Sequence, residues 1–150
     1  LGSPDEIYNN PENMFVAGFM GSPPMNFIEA EVIDGDVLIE SAGETHRFNL
    51  PCSDAVRASG KKRVTLGIRP EMITEPKPQE ESTWIHDIKM DIDVVEPMGA
   101  DTMALGNWNG TDLNARLSPK AGMNAGAKTP IQVNTQLAVV FDTATGERIR

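Results

Sequence analysis

The chain has 150 residues, of which 39% are hydrophobic, and a formal net charge of −9. This length suits one domain or two small ones, with enough apolar residues for a core. The acidic balance argues against binding to nucleic acid and against adhesion to an anionic membrane, because both depend on clustered Lys and Arg.

The single cysteine, Cys52, has no partner for an internal disulfide, which favours a reducing compartment. No apolar run is long enough to cross a bilayer, and the pattern of a signal peptide is absent. We therefore expect a cytoplasmic protein. Since the first residue is Leu1 rather than Met, we also expect either a longer precursor or a piece cut from a longer chain.

The first twenty residues are predicted to form two short helices. Residues 3–6, Ser-Pro-Asp-Glu, have the form of a capping box that begins the first helix. Asn10 is predicted to cap the second helix, with Pro11 as its first helical residue and Glu12 in its first turn.

The second predicted helix is apolar on two adjacent faces. Phe15 and Phe19 lie four residues apart, as do Val16 and Met20, so each pair shares a helix face. Residues 21–24, Gly-Ser-Pro-Pro, end the helix in a stiff elbow. An apolar helix with so little chain before it is predicted to pack against something else.

Strand patterns occupy the rest of the chain at roughly ten-residue spacing. Strands are predicted over 28–33 and 37–41, as a hairpin about 34–36, and then over 46–50, 64–68, 84–95, 102–108, 111–117, 131–133 and 137–141, with a last short strand after a turn at 142–146. Residues 53–63 are predicted as a loop or short helical turn, and 74–82 and 118–129 as connections. Many short strands predict a small all-β barrel or sandwich.

The longest predicted strand alternates apolar and charged residues. Ile88, Met90, Ile92 and Val94 are predicted to face one way, and Asp87, Lys89, Asp91 and Asp93 the other. The acidic residues of this strand, with Glu96, leave two interpretations open. A calcium site or carboxylate pair is conceivable, but a solvated strand face also requires such alternation, and we favour the solvated face.

Other candidate sites are weak. His46 and His86 stand on different strands without further metal ligands nearby in sequence, and we expect ordinary strand residues. The Gly-Lys pair in residues 59–63 lacks the Walker A spacing, and no nucleophile elbow is present. The residues alone predict a non-catalytic β module with a helical extension.

Four ordered segments together resemble one family. Residues 2–27, "LGIRPE" (66–71), "VVEPMGADT" (94–102) and "FDTATGERI" (141–149) resemble the C-terminal part of ATPase subunits from sugar-importing ABC transporters of the maltose and glycerol-phosphate type. The order and spacing agree over essentially the whole chain.

The resemblance implies an OB-like β-barrel, of the TOBE or MOP-like kind, at residues 22–150. Residues 1–21 would be the last helices of a nucleotide-binding domain, with the link into the barrel. The residues expected to contact that missing domain are Phe15, Val16, Phe19, Met20, Ser22, Pro23, Met25 and Asn26. The motif residues expected at or near a barrel–barrel dimer contact are Gly67, Arg69, Pro70, Glu71, Glu96, Gly99, Phe141, Asp142 and Gly146.

The implied function is regulation and dimerisation of a transport ATPase. The Walker and signature motifs are absent from these residues, so the chain is expected to be no enzyme and to hold no cofactor, with ATP and magnesium bound by the missing domain. Implied partners are a second copy, membrane permease subunits and a cytoplasmic regulatory protein, at the inner face of the plasma membrane.

Two alternatives remain open at this stage. Arg69 and Glu71 are equally explained as a structural ion pair between strands. The alternative function is a free-standing module that binds a small oxyanion such as molybdate, because related barrels bind such ions; the acidic charge argues against it.

Overall fold

The structure, a computed structural model, describes residues 11–14, 24–41, 43–77, 82–108, 110–118, 126 and 128–150. Its strands are β1 Asn26–Ile33, β2 Asp36–Ser41, β3 Glu44–Phe48, β4 Arg63–Ile68, β5 Ile73–Thr74, β6 Ile85–Pro97, β7 Thr102–Trp108, β8 Thr111–Leu117, β9 Lys128–Asn134, β10 Val139–Asp142 and β11 Arg148–Ile149. Within the described residues, the helix α1 spans Ser53–Ser59, and a 3₁₀ turn spans Pro70–Met72. The predicted mainly β fold is confirmed.

The strands form two antiparallel sheets. The first has the order β11-β10-β4-β1-β2-β3, and the second has the order β5-β9-β6-β7-β8. The edge strands β5 and β8 of the second sheet contact each other, so that sheet curls towards closure. A shared core lies between the sheets, and its largest members include Phe48, Leu66, Met90, Leu113 and Ile131.

The first hairpin follows from its turn residues. Asp34 and Gly35 both have positive φ, 49° and 85°, as a type I′ turn requires. Arg57 of α1 donates to the Asp34 carboxylate at 3.2 Å and to its carbonyl at 3.0 Å, which fixes the turn against the helix. The short helix predicted as one option for 53–63 is thus confirmed.

The long strand β6 contains a β-bulge that the sequence pattern did not predict. Ile92 pairs with Gly106 and Val94 with Leu105, so Asp93 is the extra residue. The bulge reverses the alternation beyond Ile92. The prediction that Val94 faces the same way as Ile88, Met90 and Ile92 is therefore wrong: Val94 is 47% exposed and Val95 packs on the core instead.

Two further predictions are corrected. Residues 11–13 are not helical, because Asn13 forms an antiparallel bridge with Glu147, and helix first appears at Met14. Leu137 lies in a turn before β10 rather than in a strand. β4 lies where it was predicted, and Val64 to Ile68 are buried on both faces of the sheet. The capping box at 3–6, Asn10 and residues 15–23 lie outside the described residues.

Candidate functional site

The "LGIRPE" motif lies at the end of β4 and in the 3₁₀ turn, largely inside the protein. Gly67 is in the centre of the first sheet, Arg69 is only 7% exposed, and Pro70 is buried at the first position of the turn. Glu71 is half-buried. Most of this motif therefore builds the barrel rather than its surface.

Gly67 makes room for a second, smaller hydrophobic cluster on the outer face of the first sheet. This outer cluster consists of Met25, Val139 and Phe141, with Met14 and Phe27 packed against it. A Cβ atom at Gly67 would lie 2.9 Å from Val139 Cγ2 and would also collide with the Met25 sulfur. The outer cluster explains why β4 is buried on both faces.

The "FDTATGERI" motif closes the chain against this outer cluster. Phe141 is fully buried and meets Phe27 edge to face, with ring centroids 6.0 Å apart. Asp142 accepts the Ala144 amide at 2.9 Å and pairs with Lys61 Nζ at 3.1 Å. The Lys61 hydrogen bond, followed by that of the Ala144 amide, lowers the pKa of the Asp142 carboxyl. Gly146 takes φ 78° in the turn.

The "VVEPMGADT" motif forms the β6–β7 hairpin and is the exposed part of the motif set. Beyond the bulge, Val94 and Glu96 point outward, and Met98 follows at 60% exposure. Gly99, at φ 86°, lies in the turn, where Met98 N donates to Asp101 O at 2.8 Å. We call Val94, Glu96, Met98 and Gly99 the hairpin surface.

Two of the eight residues predicted to contact a further domain are described. Met25 is 5% exposed and belongs to the outer cluster, and Asn26 is 3% exposed. The Asn26 side chain donates from Nδ2 to the Asn114 carbonyl at 2.9 Å and accepts from the Asn114 backbone N–H at 2.8 Å. These two bonds join β1 to β8 in place of backbone–backbone hydrogen bonds. Both side chains contact the barrel itself. The other six lie outside the described residues, and the contact with a further domain stays a prediction.

An aromatic seam between the sheets was missed by sequence reasoning, because its members are far apart in the chain. Phe48 of β3 stacks on His86 of β6, with ring centroids 4.6 Å apart, and on Trp108 of β7, with ring centroids 5.9 Å apart. His46 meets Trp108 edge to face, with ring centroids 5.4 Å apart. Both histidines are therefore packing residues, as predicted. The strand alternation of residues 44–48 was the one signal that placed His46 and Phe48 on the same face.

Hydrogen bonds define the state of His86. Asn49 Nδ2 donates to the Thr83 carbonyl at 2.9 Å, so Asn49 Oδ1 faces His86 Nε2 at 2.8 Å as an acceptor. His86 thus carries its proton on Nε2 in the neutral form. Burial lowers the pKa of His86 below its ordinary value of 6.5.

The remaining candidates show no catalytic arrangement among the described residues. Burial raises the pKa of the Cys52 thiol, which disfavours the reactive thiolate. In the described part of the chain, no three His, Cys, Asp or Glu side chains are grouped so as to hold a metal ion. The acidic residues of β6 include Asp87, Asp91 and Asp93, which are exposed, as a solvated face requires. No helix in the described ranges is long and apolar enough to span a membrane.

Comparison with known proteins identifies the domain. Residues 21–73 match the family model described as the MalK OB fold domain. The chain is 37% identical over 150 residues to the sn-glycerol-3-phosphate import ATP-binding protein UgpC of Yersinia pestis bv. Antiqua (strain Antiqua), an alignment that covers 99% of this chain and 39% of that protein.

Two more relatives agree. The Escherichia coli (strain K12) protein of the same name is 32% identical, covering 99% of this chain and 40% of the relative. The oligosaccharides import ATP-binding protein MsmX of Bacillus subtilis (strain 168) is 34% identical, covering 100% of this chain and 41% of the relative. The chain thus spans about two fifths of the length of these curated relatives.

A solved structure supports the fold independently. The cytoplasmic molybdate-binding protein ModG superposes with a TM-score of 0.58, covering 77% of this chain and 94% of the other, at 10% sequence identity. At that identity, the likeness shows the OB-like fold alone.

Proposed function

We propose that this chain, which belongs to the OB-fold domains of sugar-import ATP-binding proteins, is the regulatory and dimerisation domain of such a subunit in an ABC-type carbohydrate importer. One observation carries the proposal: relatives named as import ATP-binding proteins align with 99% of the chain at 32% and 37% identity. The chain covers 39% of the first of these, and the match by family model falls on the OB fold.

In this proposal, the chemistry belongs to a nucleotide-binding domain that precedes the barrel. That domain would bind ATP and magnesium, and the full-length subunit would couple their use to transport by membrane permease subunits at the cytoplasmic face. The barrel itself would be non-catalytic and offer its surface to a second copy and to a cytoplasmic regulator. The sugar is left open, since the relatives carry different substrates in their names.

The domain assignment is tested on the gene and on the purified chain. The coding sequence before Leu1 is expected to contain a Walker A motif, and the purified 150-residue chain is expected to release no phosphate from ATP. An upstream sequence without a nucleotide-binding domain, or ATP hydrolysis by the chain itself, would contradict the proposal.

The hairpin surface is the proposed location of the dimer contact. Two of the four exposed large apolar residues in the described part of the chain, Val94 and Met98, lie there beside Glu96. Exposed apolar side chains beside a charged one are suited to burial against a second copy, which supports this location. By contrast, Arg69, Pro70, Phe141 and Asp142 are buried in one copy, so the hairpin surface is the exposed part of the motif set.

The dimer contact is tested with matched charge substitutions. Met98→Glu should weaken self-association at least about tenfold, because a buried carboxylate without a partner is costly at an interface. Leu137→Glu is the control, since Leu137 is equally exposed, at 64%, but lies outside the hairpin surface. Sedimentation velocity on both variants decides the matter. An unchanged dimer in Met98→Glu, or equal weakening in the control, would count against this location.

A further inference from the structure

Residues 11–14, here called the junction segment, run along the last strand of the described chain. Asn13 forms an antiparallel bridge with Glu147. On either side of the bridge, Met14 N donates to Gly146 O at 2.9 Å and Arg148 N donates to Glu12 O at 3.0 Å. The junction segment thus adds a minimal outer strand to β11, joining parts of the chain that are far apart in sequence.

Two arginines strengthen this pairing from the side of β11. Arg148 Nη1 donates to the carbonyl of Pro11 at 2.8 Å across 137 residues, and Arg150 Nη2 reaches Glu12 Oε1 at 2.7 Å. The two contacts differ in environment. Arg148 is half-buried, and burial lowers the pKa of its guanidinium, whereas both partners of the Arg150 pair are largely exposed. The Arg148 bond is therefore less exposed to water than the Arg150 pair, so it is less screened by solvent.

Apolar packing continues the same contact. Met14, at the end of the junction segment, packs against the outer cluster of Met25, Val139 and Phe141. Its Cβ lies 3.9 Å from the place where a Cβ on Gly146 would stand. The turn at 142–147 therefore touches the junction segment with its backbone and lies next to the cluster that receives Met14.

We propose that β11 and the turn before it form a docking site for the junction segment, and that Arg148 is the residue that positions this segment on the barrel. β11 has only two residues and pairs with β10 at two positions, so it gains much of its own order from the segment it holds. The docking fixes the position of residues 11–14 on the barrel. This docking would also orient an ATPase domain, a step that rests on the proposed function.

The docking is tested by hydrogen exchange on the whole 150-residue chain, read at the amides of Met14 and Arg148. In Arg148→Ala, both amides are expected to exchange about tenfold faster, since the local opening that exposes them becomes easier. Arg150→Ala should change them less than about twofold because its ion pair is exposed. Arg116→Ala is the matched control, since Arg116 pairs at 3.7 Å with Asp101, away from the junction segment.

Amides of the β6–β7 pairing serve as the internal reference. Equal acceleration of these amides and of Met14 in Arg148→Ala would mean general loosening of the barrel and would overturn the proposal, as would unchanged exchange at Met14. Should Arg148→Ala not fold, Met14→Pro decides. It removes the donor to Gly146 at a helix start that tolerates Pro, and it should accelerate exchange at the Arg148 amide.

The result is separable from that of the proposed function. Exchange at Met14 depends on contacts within one copy, whereas the dimer contact is measured by sedimentation of Met98→Glu. A monomeric chain that keeps the docking would refute the dimer alone. A dimer without protection at Met14 would refute the docking alone.

Discussion

Gly67 has a packing role that its place in a surface-directed motif did not suggest. The residue sits beneath the outer cluster, and a side chain there would meet Met25, Val139 and Phe141. Phe141 therefore packs over Gly67 because Gly67 has no side chain, although the two motif residues are far apart in sequence. Both residues serve the packing of the outer cluster rather than a shared contact surface.

Substitution of Gly67 tests this packing. Gly67→Ala is expected to lower the free energy of unfolding by about 1–3 kcal/mol through overpacking. Gly106→Ala should cost more, because its Cβ would meet the rigid backbone of Asp91 rather than the movable Met25 side chain. Urea unfolding of both variants gives the comparison. A smaller loss in Gly106→Ala than in Gly67→Ala would contradict this account.

His86 makes stability depend on pH in a defined direction. Its folded pKa lies below its ordinary value of 6.5, so between these two values the unfolded chain binds more protons than the folded one. Stability therefore rises with pH across that window and falls as the solution is acidified below about 6.5. The cause is burial, which outweighs the opposing influence of Asp87 and Asp36.

The pH effect is measured by urea unfolding between about pH 5 and pH 7.5, a range chosen around the ordinary pKa of histidine. His86→Gln keeps an N–H donor for Asn49 Oδ1 but does not titrate, so it should lose most of the dependence. Retention of the full slope in His86→Gln would show that other groups cause it.

At the scale of elements, the β6 bulge decides which residues form the hairpin surface. The pattern of residues 84–95 predicted a strand in the right place, but one extra residue reverses the faces beyond Ile92. The alternating sequence pattern does not predict this reversal, because Val94 and Val95 have the same side chain. The burial of one and exposure of the other depends on pairing with β7.

Neighbouring valines therefore give a direct test of the bulge. Val95→Ser should destabilise the chain by about 1–3 kcal/mol, because it removes apolar contact with the core and places a hydroxyl there. Val94→Ser, at a position that is 47% exposed, should cost less than about 0.5 kcal/mol. Thermal or urea unfolding distinguishes them. The reverse order would place the bulge elsewhere.

For the whole molecule, local patterns predicted most elements, and long-range contacts decided the rest. The hairpin about 34–36 follows from its turn residues, and β7 and β8 have the predicted bounds. The pairing of Asn13 with Glu147, by contrast, overrides a good helix-start signal at Pro11. The seam of Phe48, His86 and Trp108 joins three strands of two sheets, which no local pattern specifies.

The net charge of the whole chain sets how self-association should respond to salt. Each copy carries a formal charge of −9, so two copies repel each other, and the proposed contact surface is apolar at Val94 and Met98. The Debye length falls from about 10 Å at 0.1 M salt to about 3 Å at 1 M, which screens this repulsion. The dimer dissociation constant should therefore decrease as sodium chloride rises from about 0.05 to about 0.5 M. Sedimentation equilibrium at several salt concentrations measures it, and a dimer that weakens with salt would indicate a contact made by ion pairs instead.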